Sequence, residues 1–147
     1  MARTPAPGPF GWFQTAAAVL TSRGAGTQGD AVGGPFISDD PLVGDLANEI
    51  EAALPGSVKG VNVPIYDTDG NKVTDADISL DVAIIQVKSG GGKKLTGQVV
   101  RTHGATTMRV IAYGPDLKGS VVRGIRDRGF EVYEDAASLI EALRSGM

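Results

Sequence analysis

The chain has 147 residues with 14 Lys and Arg against 17 Asp and Glu, a formal net charge of -3, and is long enough to bury one core of its own without covalent staples. Its lack of cysteine excludes disulfide frameworks, Cys-ligated zinc and thiol nucleophiles. No stretch approaches the ~20 apolar residues of a membrane-spanning helix, and the apolar run 16–20 is too short for a secretion signal, so no export address is expected.

Residues 1–40 read as a Pro/Gly-rich tail or linker, punctuated by Pro5, Pro7, Pro9, Gly24, Gly26, Gly29, Gly33, Gly34 and Pro35, with one helix-compatible stretch over 13–20. The domain is expected over 41–147. Asp39 or Asp40 can cap a helix over 41–54 that starts at Pro41 and ends at Pro55-Gly56. Val43, Leu46, Ala47, Ile50 and Leu54 share one face of it, with Glu49 and Glu51 flanking that stripe. A strand over 58–66, a turn at Asp67-Thr68-Asp69-Gly70-Asn71 and a strand over 72–80 follow as a hairpin. The third strand, 81–88, holds a nearly continuous apolar run, the pattern of a strand covered on both faces. Gly90, Gly91 and Gly92 then lead to a helix over 93–103, a strand over 108–113, a helix over 118–128, a strand over 130–133 and a helix over 136–144. This order, αβββαβαβα, predicts an α/β fold with a mixed central sheet.

Gln86 and Lys88 interrupt the apolar run of the third strand, and residues two apart on a strand face the same side. Asp77, on the preceding strand, meets them if the chain reverses near 79–81. A carboxylate, an amide and an ammonium at one strand end are a set suited to holding a divalent ion beside a phosphodiester.

The pattern Asp77, Gln86, Lys88 resembles the PD-(D/E)xK nuclease superfamily, in the variant with glutamine before x-Lys, and Ala76 replaces the proline of the family pattern. The run Ile84-Ile85-Gln86-Val87-Lys88-Ser89-Gly90 is most similar to the restriction-endonuclease-like toxin domains of bacterial polymorphic and contact-dependent toxins. The resemblance implies an αβββαβ core, here with a C-terminal αβα extension, and metal-dependent cleavage of DNA or RNA, tRNA included. It also implies an immunity protein as partner and action in the cytoplasm, after delivery as part of a larger secreted toxin. Magnesium is the implied ion, with manganese as the alternative. Asp77 is then the principal ligand, with the Gln86 amide oxygen, the Val87 carbonyl and Glu49 completing the set, and Glu51 standing in if the first helix is rotated. Lys88 orients or deprotonates the attacking water or stabilises phosphoryl charge. On this reading Gln86→Glu should retain or raise metal affinity. Lys93, Lys94, Thr96, Gln98 and Arg101, on the helix after the glycine loop, are expected to face nucleic acid.

Charge is split along the chain. Residues 30–81 hold 11 acidic and 2 basic side chains, whereas 88–128 hold 9 basic and 2 acidic, an arrangement suited to a metal-collecting half beside a phosphate-collecting half. Two rival readings share the fold: a repair or junction-resolving nuclease, and an inactive nuclease-like binding module. A P-loop is excluded by spacing, because Val87 stands where its first glycine is required. His103, the single histidine, reads as a helix-end or surface residue.

Overall fold

The computed structural model describes residues 33–146, so the stretch 13–20 lies outside the described part. The elements are α1 (Pro41–Ala53), β1 (Val58–Tyr66), β2 (Lys72–Leu80), β3 (Ala83–Val87), α2 (Leu95–Ala105), β4 (Arg109–Tyr113), α3 (Gly119–Asp127), β5 (Glu131–Tyr133) and α4 (Ala136–Ser145). Every expected element of the domain is present.

Local chemistry explains their ends. The Asp40 carboxylate accepts the Leu42 N–H at 3.0 Å and caps α1, with Pro41 in the first helical turn. Asp67 accepts the N–H groups of Asp69 and Asn71, both at 2.9 Å, and closes the β1–β2 turn. β3 starts later than expected because Asp81 turns aside, its N–H donating to the Ser57 carbonyl at 3.2 Å. α2 starts at Leu95 rather than 93, since Gly92 (φ 86°) and Lys94 (φ 74°) adopt left-handed conformations that no helix accommodates. An added Cβ at Gly92 would also lie 2.5 Å from Leu117 Cδ2, so that side chain would have to shift.

The five strands form one open mixed sheet in the order β1-β2-β3-β4-β5. β1–β2 and β2–β3 are antiparallel, and β3–β4 and β4–β5 are parallel. Residues from α1 and α4, including Val43, Leu46, Ile50, Leu139 and Leu143, pack with Ile78, Ile85, Val87 and Ile111 as one core. Leu95 and Val99 of α2 and Val122 and Ile125 of α3 pack with Val110, Ala112 and Val132 as the other. The sheet is thus covered by helices on both faces, which is why β3 is buried along its whole length.

Residues 33–40, read from sequence as the end of a tail, belong to this folded unit. Phe36 exchanges two hydrogen bonds with the Asn48 side chain, at 2.7 and 3.0 Å. Glu51, 1% exposed, accepts the N–H groups of Gly33, Gly56 and Val58 at 2.8, 2.6 and 3.0 Å. It therefore ties Gly33 to the connection from α1 to β1 and satisfies the Val58 N–H, which is buried away from water. Glu51→Ala is expected to lower the unfolding free energy by about 3 kcal/mol, and Glu49→Ala, at an exposed position, to change it by less than about 0.5 kcal/mol. Urea unfolding of both variants checks the contrast.

Candidate metal and phosphodiester site

The β2–β3 ladder pairs Ser79 with Ile84 and Ile78 with Ile85 and stops there. On either side the neighbouring ladders continue, β1–β2 to Lys72 and β3–β4 to Val87. The two strands therefore part at the carboxyl end of β3. Side chains replace the missing rungs. Gln86 Oε1 accepts the Asp77 N–H at 3.0 Å, Gln86 Nε2 donates to the Asp75 carbonyl at 2.9 Å, and Asp77 Oδ2 accepts the Val87 N–H at 2.8 Å.

The alternation of β3 decides which face each residue serves. Ala83, Ile85 and Val87 enter the core beneath α1 and α4, so Gln86 points to the opposite face, where it meets α2. There Gln98 Nε2 donates to Gln86 Oε1 at 3.2 Å and reaches Asp77 Oδ2 at 3.4 Å. Gln86 Nε2 donates to Thr102 Oγ1 at 2.7 Å.

A cleft of about 490 Å³ opens at this point, lined by Asp39, Asp40, Asn62, Asp75, Asp77, Val87, Lys88 and Gln98 among others. Asp77 is partly buried. Burial raises its pKa above the usual carboxylate value; the Val87 N–H and the Gln98 amide act the other way, and the charges of Asp40 and Asp75 add to the rise. Both of those hydrogen bonds fall on Oδ2, and Asp77 Oδ1 has no hydrogen-bond partner among the described residues. In an extended strand the N–H and C=O of one residue lie on the same edge. Since the Val87 N–H is directed at Asp77, its carbonyl shares the gap. Lys88 lines the same cleft and forms no ion pair among the described residues.

These groups fit a hard divalent cation. A free carboxylate oxygen, a backbone carbonyl and the carboxylates of Asp39, Asp40 and Asp75 nearby are hard oxygen donors, although Asp75 is also paired with Lys72 at 3.0 Å. Among the described residues no three carboxylate or imidazole side chains are grouped to form a metal cage. Magnesium does not require one, because it retains waters and commonly takes one or two carboxylates together with substrate phosphate oxygens.

The structure thus brings together Asp77, Val87, Lys88 and Gln98 of the expected residues. It gives Gln86 another role. Gln86 is 0% exposed, its carbonyl oxygen already accepts two hydrogen bonds and its NH₂ donates two, so no lone pair is left for an ion. Glu49 is exposed on α1 and does not line the cleft; the acids there from the start of that helix are Asp39 and Asp40. Glu51 is committed to backbone donors. Lys93, Lys94 and Arg101 are exposed and Thr96 is partly so, and none of them lines the cleft.

Sequence reasoning did not single out Asn62, Thr102 or Lys118 for the site. Thr102 carried a usable signal, a polar residue in the Leu95, Val99, Thr102 stripe of a helix. Lys118 carried none: its N–H donates to the Gly91 carbonyl at 3.1 Å and its stem lies over Gly91, 3.0 Å from where a Cβ would stand. That packing sets a further ammonium-bearing side chain beside the glycine loop after β3. Comparison of the chain with protein-family models, with curated proteins and with solved structures finds no match.

Proposed function

We propose that this chain is a metal-dependent nuclease of restriction-endonuclease-like fold that cleaves DNA or RNA as a toxin effector domain. One observation carries the reading: β2 and β3 part where Asp77, the Val87 carbonyl and Lys88 share a single cleft. The order α1-β1-β2-β3-α2-β4, with three antiparallel strands followed by a parallel one, agrees with an αβββαβ core. The toxin assignment, with an immunity protein as partner and the cytoplasm of a target cell as the place of action, rests on the likeness of residues 84–90 to toxin domains. No described helix is long and apolar enough to cross a membrane.

Asp77 Oδ1 and the Val87 carbonyl would hold the ion, magnesium or manganese. When bound, such an ion polarises the phosphoryl group and lowers the pKa of water at neutral pH. Gln98 and the Val87 N–H hold the Asp77 carboxylate in place. The Lys88 ammonium orients the attacking water and stabilises charge on the phosphoryl oxygens. Lys93, Lys94 and Arg101 touch the backbone of the nucleic acid.

The test is incubation of the purified protein with plasmid DNA, total tRNA and branched DNA, with magnesium, manganese or EDTA. Metal-dependent cleavage that is lost in Lys88→Ala supports the proposal, and intact substrates under every condition overturn it. The saturated Gln86 favours one competitor, a nuclease-like module that binds nucleic acid without cutting it; binding without cleavage is the outcome that selects it. The charge split adds a further expectation. Neutralising Lys93, Lys94 and Arg101 together should weaken binding and flatten its salt dependence, by about 0.9 in the log–log slope for each duplex phosphate no longer neutralised. An unchanged slope would place the binding track elsewhere.

A further inference from the structure

Between β3 and α2 the core contains a closed polar ring. The Thr102 hydroxyl donates to the Gln98 carbonyl one turn back at 2.7 Å, so its lone pair is presented to Gln86 Nε2. Gln86 Oε1 in turn accepts from the Gln98 side chain. The ring therefore joins one turn of α2 to β3 through Gln86, and its members leave it toward the site: Gln98 Nε2 to Asp77 Oδ2, and Gln86 Oε1 to the Asp77 N–H. Thr102 and Gln86 are both 0% exposed, so water does not replace the bond between them.

We propose that Thr102 is a positioning residue for the Asp77 carboxylate, acting through Gln86 and Gln98. The proposal rests on the reading of Asp77 as the metal-holding group. The backbone at Asp77 and Asp75 already fixes which end of the Gln86 amide faces β2, since an N–H must meet Oε1 and a carbonyl must meet Nε2. α2 is held on the sheet by Leu95 and Val99, so what remains free without Thr102 is the second amide proton. Thr102 uses that proton, and so sets where the Gln98 side chain stands between Gln86 and Asp77. Valine has nearly the same shape but cannot accept a hydrogen bond. Thr102→Val removes the connection while filling the space, and Thr102→Ser keeps the connection with less packing.

The experiment uses the full chain and three readouts. In ¹⁵N NMR the Gln86 side-chain NH₂ protons should exchange slowly in the parent and in Thr102→Ser, and roughly tenfold faster in Thr102→Val. Manganese titration by EPR without nucleic acid should give an affinity roughly tenfold weaker in Thr102→Val and parent-like in Thr102→Ser, the range found when supporting bonds around metal ligands are removed. Cleavage should show a lower kcat with KM for nucleic acid little changed. A Thr102→Val protein that unfolds more easily but binds manganese as the parent does would make Thr102 a packing residue and overturn the proposal. So would fast exchange of the Gln86 NH₂ protons in the parent, a result obtainable even if no variant folds. A parent that cleaves nothing defeats the nuclease reading alone, because the exchange and manganese results are independent of cleavage.

Discussion

Asp77→Asn is expected to reduce cleavage on the order of 10³-fold while leaving the protein as stable as the parent, or more so, at neutral pH. The carboxylate occupies a partly buried position where burial is the largest influence on its pKa and raises it. A carboxyl whose folded pKa lies above its unfolded one contributes stability below the unfolded pKa and loses that contribution as pH rises through the folded value. At neutral pH the ionised Asp77 is thus a net burden on the fold. Asparagine keeps an acceptor for the Val87 N–H and for Gln98 but carries no charge. Saturating magnesium, at about 100 times its Kd, should raise the unfolding free energy of the parent by about 2.7 kcal/mol and that of Asp77→Asn hardly at all. The parent's gain should fade as pH falls through the raised pKa, because protons compete with the ion for the carboxylate. Thermal melts with and without magnesium across pH check all three points. A parent-like cleavage rate in the folded variant would remove Asp77 from the site.

Gln86→Glu is expected to destabilise the protein by about 3 kcal/mol or more at neutral pH, the opposite of what a metal-ligand reading of that position implies. Glutamate would place a carboxylate oxygen where Nε2 now donates to the Asp75 carbonyl at 2.9 Å, two acceptors facing each other in a site of 0% exposure. It would also set a second negative charge beside Asp77. Both effects raise the new carboxyl's folded pKa. The protonated acid can still donate to the Asp75 carbonyl, so the penalty is small below the unfolded pKa and grows as pH rises through the folded one. Urea unfolding at acidic and neutral pH, paired with manganese titration, measures this directly. If Gln86→Glu matches the parent in stability at pH 7 and binds manganese more tightly, the side chain reaches the ion and the buried arrangement is not the working one.

The two variants show how far the sequence could be read. The positions of Asp77, Val87 and Lys88 were legible because strand geometry is local: a period of two sets the face of every residue once the strand is recognised, and the nearly continuous apolar run 83–87, broken only by Gln86, marks β3. The same locality explains why each element lies where its caps, turns and glycines predict. Gln98 was named from the sequence as well, though for contact with nucleic acid rather than for its hydrogen bonds to Asp77 and Gln86.

Glu49, Gln86 and Thr102 were of a different kind. The rotation of α1 about its axis is decided by how Val43, Leu46 and Ile50 pack on the sheet, and that packing leaves Glu49 outward and buries Glu51 against three N–H groups. Whether an amide at position 86 serves an ion or the protein depends on what α2 presents to it from 12 and 16 residues away. By itself the sequence determined the order of elements, the α/β class and the presence of Asp77 within β2 and of Lys88 just past the end of β3, because hydrogen-bonded periodicity and capping act over a few residues. Only the tertiary structure decided that β2 and β3 part at that level, that Asp40 and Asp75 add their charge there, that Lys118 lies over the glycine loop and that Gln86 is spent on hydrogen bonds. Each of these depends on side chains distant in sequence meeting within a few ångströms, where burial and competing partners set what a polar group is free to do.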